Sequence, residues 1–199
     1  MTRLPRALEK KLQTTHDPAA ADGPVPGVRQ AAVVLLLRGG ENLDGTELLM
    51  IRRADRAGDP WSGHLALPGG RAEPGDSSLL DIALREVKEE VGIDIEQGGR
   101  ILGRLSTIFP LSARLPRISV TPFVAWAPPE ALPHPDPVEV KEAFWLPLRD
   151  LQSDGRSGVV RYTIDRETRE WPAYPSPYGP IWGITERILT EFLSLSSGL

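Results

Sequence analysis

The length, charge and cysteine content of the chain limit what it can do. Its 199 residues, 40% of them hydrophobic, suffice for one domain of ordinary size. A formal net charge of −4 gives no basic field of the kind that draws proteins to nucleic acid or anionic lipid. The absence of cysteine excludes disulfides, zinc–thiolate sites and a cysteine nucleophile.

The sequence also indicates where the protein acts. Its longest strictly apolar run, Ala31 to Leu37, has seven residues, whereas a membrane-spanning helix needs roughly 18. No apolar segment typical of a secretion signal follows the charged N-terminal residues. We therefore expect a cytoplasmic protein that binds a small molecule and neither nucleic acid nor membrane, and we leave a homodimer open.

The N-terminal part of the chain is predicted to differ from the rest. Residues 1–28 are predicted to be an extension or linker, and residues 29–199 a folded domain. The extension contains a short predicted helix, Arg6 to Gln13, followed by a stretch rich in Ala, Pro and Gly. Two aliphatic runs, Val33 to Leu37 and Glu47 to Arg53, then predict two neighbouring strands.

The strongest helical pattern lies between Ser78 and Val91, where apolar residues recur at spacings of three and four. Asp76, Ser77 and Ser78 are candidate N-caps, and Gly92 is a C-terminal stop signal. Downstream, three strands and a closing helix are predicted: Ile101–Phe109, Ile118–Ala127, Val159–Ile164 and Ile184–Leu195. Strands on both sides of a central helix favour an α/β fold, with a mixed sheet between helices in an α/β/α sandwich.

Three carboxylates lie close together on the predicted central helix. Glu86, Glu89 and Glu90 are spaced by three and four residues, so they share the face opposite the apolar stripe. Like charges at such spacings cost about 0.2–0.5 kcal/mol per pair, and the macrodipole disfavours anions in the last turn. Mg²⁺ or Mn²⁺ would remove both penalties by taking carboxylate oxygens. A solvated acidic face is the alternative, and these residues alone leave both interpretations open.

Distinctive segments surround this helix. Pro68-Gly69-Gly70 and a loop with Gly and Asp precede it, and Arg85 to Ile93 has the pattern Arg-Glu-aliphatic-any-Glu-Glu-any-Gly-aliphatic. Together these segments resemble the Nudix box. The resemblance implies a Nudix-like α/β/α sandwich whose loop–helix–loop holds a pyrophosphate with Mg²⁺ or Mn²⁺. It also implies that the metal ligands are the three glutamates just described.

The same resemblance implies that Arg85 orients the carboxylates, although Arg85 is also spaced to pair with Asp81 on the helix surface. The distance from Gly70 to Arg85 is one residue longer than in the usual box, and the extra residue falls in the loop. Asp76 or Ser77 stands where the family often has a glutamate near the helix start.

A narrower resemblance extends over roughly residues 30–195. Five segments are similar to coenzyme A diphosphatases: Leu48–Arg53, Pro68–Gly70, Val120–Val124, Glu139–Phe144 and Ile181–Gly183. Asp59 or Pro60, and Leu67, replace an Arg and a Phe usual in that group. The implied reaction is hydrolysis of coenzyme A to 3′,5′-ADP and 4′-phosphopantetheine. The alternatives are ADP-ribose, NADH or another nucleotide substrate, and a non-catalytic Nudix-fold ligand-binding module.

An anionic nucleotide substrate needs cationic contacts. Arg52 and Arg53, with Gly69 and Gly70 of the box, are the predicted substrate-binding residues, and the other candidate arginines are Arg56, Arg71, Arg114 and Arg117. The general base is predicted to be a helix glutamate or Glu139, which follows a Pro-rich segment.

Three aromatic residues, Trp61, His64 and Trp182, could stack on adenine or simply pack, and receive no catalytic role. A binding module would be expected to lose ligand carboxylates, yet all three are present. Isoprenoid isomerisation on the same fold leans on a cysteine, which this chain lacks. An enzyme is therefore the favoured interpretation.

Overall fold

The computed structural model describes residues 3–15, 28–109, 118–153, 157–164 and 167–199. The first half of the chain forms α1 (Arg3–Thr15), β1 (Arg29–Gly39), β2 (Thr46–Arg53), β3 (Leu65–Ala66), β4 (Gly69–Arg71) and α2 (Leu79–Val91). The second half forms β5 (Arg100–Arg104), β6 (Ile118–Trp126), β7 (Val140–Pro147), α3 (Leu148–Ser153), β8 (Gly158–Ile164), β9 (Glu167–Tyr174), β10 (Ile181–Trp182) and α4 (Gly183–Ser196).

The main sheet is mixed, and β1 lies at its centre. β1 runs parallel to β6 on one side; on the other it pairs antiparallel with β4 and then with β2. β2 also pairs with β3 and β7, and β5 pairs with β6. Because Ala31 to Val33 pair with Gly69 to Arg71, the Pro-Gly-Gly segment is held against the most central strand of the sheet.

Both faces of β1 are buried. Leu35 and Leu37 belong to one hydrophobic cluster, whereas Val34 and Leu36 belong to a second, as expected because successive side chains of a strand point to opposite faces. The first cluster includes residues of α1 and α4, and the second includes those of α2. The predicted α/β/α sandwich with a mixed sheet between helices is therefore confirmed.

Helix α2 begins and ends at the predicted signals. The Ser78 hydroxyl accepts a hydrogen bond from the Asp81 backbone N–H at 3.1 Å, which satisfies an N–H group that has no partner within the helix. At the other end Gly92 adopts a left-handed conformation with φ of 67°, which a glycine adopts without steric cost. These two caps fix which residues form the last two turns of α2.

Helix α1 is longer than the predicted Arg6 to Gln13 and belongs to the core. Its leucines Leu4, Leu8 and Leu12 are buried in the same cluster as residues of α4, and α1 packs against β5. The domain division at residue 28 stays a prediction. The part of the N-terminal segment that the structure describes, however, is held against the domain.

Some observed strands also differ from the predicted ones. The strand predicted over Ile101–Phe109 ends at Arg104, and beyond it only an isolated bridge at Ile108 follows. Strand β7 lacked a predicted counterpart, since its Lys141 and Glu142 obscure the apolar pattern. Outside the main sheet, β8, β9 and β10 form a small antiparallel sheet. No helix in the described ranges is long and apolar enough to cross a membrane.

The packing of α1 predicts a cost for truncating its central leucine. Leu8 is fully buried, so Leu8→Ala should lower the free energy of unfolding by about 2–5 kcal/mol, through lost burial and the cavity that remains. Urea unfolding followed by circular dichroism measures the change. Lys10→Ala, on the exposed side of α1, is the control and should leave the midpoint nearly unchanged. A Leu8→Ala midpoint equal to that of the wild type would show that α1 is not part of the core.

Candidate active site

Three carboxylates converge where the second half of α2 faces the main sheet. Glu86 and Glu90, one helical turn apart, are only 8% and 3% exposed. Glu139 precedes β7 and joins them: one carboxylate oxygen from each of the three residues lies within 4.8 Å of the others. We call these three residues the carboxylate cluster. Such close negative charges repel one another unless protons or a cation compensate them.

The Pro-Gly-Gly segment shapes this cluster. The Gly69 backbone N–H donates to Glu90 Oε2 at 2.8 Å, so the main chain of β4 fixes the more buried carboxylate. A Cβ atom at Gly70 would overlap the carboxylate of Glu86. Glycine is therefore required at position 70 because Glu86 occupies the space of a side chain.

Arg85 ties the start of α2 to its carboxylates. Its guanidinium donates to both carboxylate oxygens of Asp76 at 3.1 Å and lies 3.1 Å from Glu86 Oε1. Another nitrogen donates to Glu89 at 2.8 Å. Asp81, the alternative partner of Arg85 on the helix surface, instead accepts the Ser77 backbone N–H. The sequence left open whether Asp76 or Ser77 replaces the usual glutamate near the helix start, and it is Asp76 that pairs with Arg85.

Glu89 lies outside the carboxylate cluster. Its side chain is 58% exposed and pairs with Arg85, so the structure groups Glu139, rather than Glu89, with Glu86 and Glu90. The metal-ligand role of Glu89 stays a prediction, as do the roles of the other site residues.

A loop that caps α2 positions Glu139. The backbone N–H groups of His134 and Asp136 donate to the carbonyls of Val91 and Glu90 at 2.8 and 2.9 Å, and so satisfy acceptors that a helix end leaves free. Asp136 then accepts the Glu139 N–H at 3.0 Å. The loop therefore stabilises the end of α2 and places a third carboxylate beside it.

The sequence of the chain decides its family. The NUDIX domain model matches residues 28–166. The chain belongs to the Nudix family. The Nudix hydrolases named NudL from Photorhabdus laumondii and Pectobacterium atrosepticum, both termed uncharacterized, are 33% and 32% identical to it over 145 and 173 residues. These matches cover 72% and 84% of this chain and 74% and 83% of those proteins.

Solved structures confirm the Nudix fold. A Nudix hydrolase from Alicyclobacillus acidocaldarius matches with a TM-score of 0.52 and 23% identity, over 66% of this chain and 84% of that one. A C. elegans Ap4A hydrolase in a binary complex matches with a TM-score of 0.50 and 24% identity, over 63% and 85%. Its family match and its Nudix hydrolase relatives make the chain a Nudix pyrophosphohydrolase that acts on a nucleotide-linked substrate. Enzymes of this family generally use divalent metal ions.

The electrostatics of the Nudix helix depend on burial. Burial raises the pKa of Glu90 to about 8, aided by the charges of Glu86 and Glu139 and opposed by the Gly69 N–H and by Arg53. Burial also raises the pKa of Glu86, while Arg85 opposes the shift. The hydrogen bonds from Arg85 lower the pKa of Asp76. Without a cation, Glu90 therefore retains a proton at neutral pH.

The carboxylate cluster has the donor set for a hard divalent cation. It offers only oxygen atoms, converging from a rigid helix and from a loop tied to that helix, and such ions prefer carboxylate oxygens. A bound ion would also compensate the charges that burial leaves without solvent. The buried Glu86 and Glu90 therefore fit the metal that the Nudix family uses, and Glu139 lies next to them.

The two predicted substrate arginines have different surroundings. Arg53 donates to Asp59 at 3.0 Å, and its charge acts on Glu90. Its Nε is buried and has no hydrogen-bond partner among the described residues. Arg52 instead points to the other side of β2, where it contacts Glu142 and the carbonyls of Gly63 and Tyr178. Of these two arginines, Arg53 is therefore the one directed towards the carboxylate cluster.

Sequence reasoning missed one contact of the site. Among the remaining candidate arginines, Arg56 donates to Glu139 Oε1 at 3.1 Å, and no sequence signal relates these residues, which are 83 positions apart. The carbonyl of the exposed Arg71 accepts from Arg85. Arg114 and Arg117 lie outside the described residues.

The raised pKa of Glu90 predicts an unusual pH dependence of stability in EDTA. Between its ordinary value of 4.5 and about 8, the folded protein holds a proton on Glu90 that the unfolded chain has lost. The contribution of Glu90 to stability is therefore fully present below pH 4.5 and is lost as the pH rises to about 8. Unfolding in urea across this interval measures the effect.

Glu90→Gln is the control for this dependence, because glutamine does not titrate. The difference in unfolding free energy between wild type and variant should change steadily over the interval, to the disadvantage of the wild type as the pH rises. Parallel curves for the two proteins would contradict the assignment of a protonated Glu90.

Proposed function

We propose that this Nudix hydrolase cleaves the diphosphate of coenzyme A, giving 3′,5′-ADP and 4′-phosphopantetheine, with Mg²⁺ or Mn²⁺ as its metal. The observation that carries the diphosphate chemistry is the convergence of two buried glutamates and Glu139 beside Gly69 and Gly70. Coenzyme A is preferred because five segments outside and within the box are similar to coenzyme A diphosphatases. ADP-ribose, NADH and other nucleotides are the alternative substrates.

Each residue of the site has a distinct proposed role. Glu86 and Glu90 would hold the metal, with the exposed Glu89 as the third ligand. The ion supplies activation of water and neutralisation of the charge that develops on the leaving oxygen. Arg85 keeps Glu86 in place through its own anchor on Asp76.

Glu139 is the proposed general base. Its side chain is 47% exposed, unlike the other two members of the cluster, so it can reach a solvent molecule while remaining next to the metal ligands. A base must lie within hydrogen-bond reach of the proton it takes, and the loop that caps α2 holds Glu139 at the cluster. Arg53, whose Nε has no partner in the described ranges, is the proposed contact to the substrate phosphates.

These roles predict different outcomes for three glutamine variants. Glu139→Gln should retain Mn²⁺ affinity and lose about 10²–10⁴ in kcat, because only proton transfer is removed. Glu89→Gln and Glu90→Gln should lose both affinity and rate with Mg²⁺ and with Mn²⁺. Isothermal titration with Mn²⁺ and diphosphate hydrolysis assays measure the two quantities. Near wild-type rates for Glu89→Gln and Glu90→Gln would overturn the metal assignment.

The choice of substrate predicts a ranking by kcat/KM. Coenzyme A should exceed ADP-ribose, NADH, diadenosine polyphosphates and nucleoside triphosphates when all are assayed with the same metal. Liberated 3′,5′-ADP and 4′-phosphopantetheine, resolved by chromatography, identify the cleaved bond. A clear preference for ADP-ribose would exclude the coenzyme A assignment and leave the diphosphate chemistry in place.

The cytoplasmic location and the homodimer stay predictions.

A further inference from the structure

A second group of side chains lies on the other side of β2 and has no role in the diphosphate chemistry. Five aromatic rings contact one another there: Trp61, His64, Tyr162, Trp171 and Trp182. We call these five residues the aromatic cleft. Three of them, His64, Tyr162 and Trp182, line a cavity of about 200 Å³ between the loop after β2 and the small sheet. All five rings are partly exposed, so they do not form a closed core.

The rings of the aromatic cleft pack closely beside the cavity. Trp61 and Tyr162 are nearly parallel, with an interplanar angle of 14° and centroids 6.3 Å apart. Trp182 lies 4.7 Å from Tyr162 and 5.0 Å from His64. His64, Tyr162 and Trp182 all line the cavity. Partly exposed aromatic faces favour a flat ligand that stacks on them.

The lining of the cavity does not suit a phosphate. Its only charged residue among those described is Arg52, and the Arg52 guanidinium already donates to the carbonyls of Gly63 and Tyr178 and to Glu142. Burial lowers the pKa of His64, which favours its neutral form. The cavity is therefore suited to an uncharged group.

One hydrogen-bond donor in the aromatic cleft lacks an acceptor. The Nε1 atom of Trp171 is buried and has no partner within the described part of the chain. Trp171 is paired with Val160 across the β8–β9 hairpin, so both side chains lie on one face, and Val160 lines the cavity. A buried N–H without a partner is unfavourable, but Trp171 itself is not among the residues that line the cavity.

The aromatic cleft adjoins the diphosphate site through Arg53. The Arg53 backbone exchanges hydrogen bonds with the two residues at the base of the cleft, accepting from the Gly63 N–H at 3.2 Å and donating to the His64 carbonyl at 3.1 Å. Asp59 accepts from both the Arg53 side chain and the Trp61 backbone, at 3.0 and 2.9 Å. The residue that faces the carboxylate cluster is thus bonded directly to the wall of the cavity.

We propose that the aromatic cleft binds the purine base of the nucleotide whose diphosphate lies at the carboxylate cluster, an inference that rests on the proposed nucleotide-diphosphate hydrolysis. The base stacks on Tyr162 and Trp182, which line the cavity. A purine is flat and uncharged, as this lining requires. The flexible arm of a substrate such as coenzyme A has no aromatic ring to stack there.

Binding of adenosine 5′-monophosphate in EDTA tests this assignment without requiring turnover. Its purine should quench the fluorescence of the cleft tryptophans saturably, whereas ribose 5-phosphate and 4′-phosphopantetheine should not. Tyr162→Leu and Trp182→Leu should each weaken binding about tenfold, as expected for loss of one stacking face. Trp145→Phe, whose tryptophan stacks with Arg38 outside the cleft, is the matched control and should bind as the wild type does.

Two variants keep the test decisive, because Trp182 also precedes α4 and its replacement can affect folding, which circular dichroism checks. Wild-type affinity in a folded Tyr162→Leu protein would overturn the proposal, as would absence of saturable quenching or equal quenching by 4′-phosphopantetheine. In hydrolysis assays Tyr162→Leu should raise KM about tenfold and leave kcat nearly unchanged. Base binding that the variants weaken, in a protein that hydrolyses no diphosphate, would support the cleft and refute the proposed function.

Discussion

The close approach of β4 to α2 is the constraint on which the site depends. At Gly70 the main chain lies so near Glu86 that a side chain would overlap the carboxylate, and at Gly69 it donates a hydrogen bond to Glu90. The approach is possible because β4 pairs with the central strand β1, while α2 packs on the same strand through its apolar face. Sheet pairing and helix packing together therefore force two carboxylates out of water, which raises their pKa values.

Much of this arrangement could be predicted from local sequence. Ser78 and Gly92 marked the ends of α2 because capping is a property of a few neighbouring residues. The spacing of Glu86 and Glu90 placed these two carboxylates together, but Glu89, predicted to share their face, is exposed. The sequence could not show that the Glu139 carboxylate, rather than that of Glu89, lies beside Glu90, because this depends on where the loop before β7 returns to the helix. The contact between Arg56 and Glu139 escaped prediction for the same reason.

Strand β2 shows how one element serves two different environments. Because successive side chains alternate, Arg53 is directed towards Glu90 while Arg52 is fixed on the opposite side. The sequence offered both arginines as equivalent substrate contacts, since two adjacent basic residues carry no information about strand orientation relative to a site. Only the pairing of β2 with β3 and β7 decides which of the two faces the carboxylates.

The loop that caps α2 carries a further consequence for how this enzyme can diversify. Surface loops ordinarily accept insertions, since lengthening them costs little entropy. Here His134 and Asp136 satisfy the end of the helix that bears the buried glutamates, and Glu139 follows three residues later. An insertion between Asp136 and Glu139 would leave the cap intact and displace the carboxylate. An insertion before His134 would instead leave the spacing between the cap and the carboxylate unchanged. Length variation among related chains should therefore concentrate ahead of His134, with the spacing from cap to carboxylate held constant.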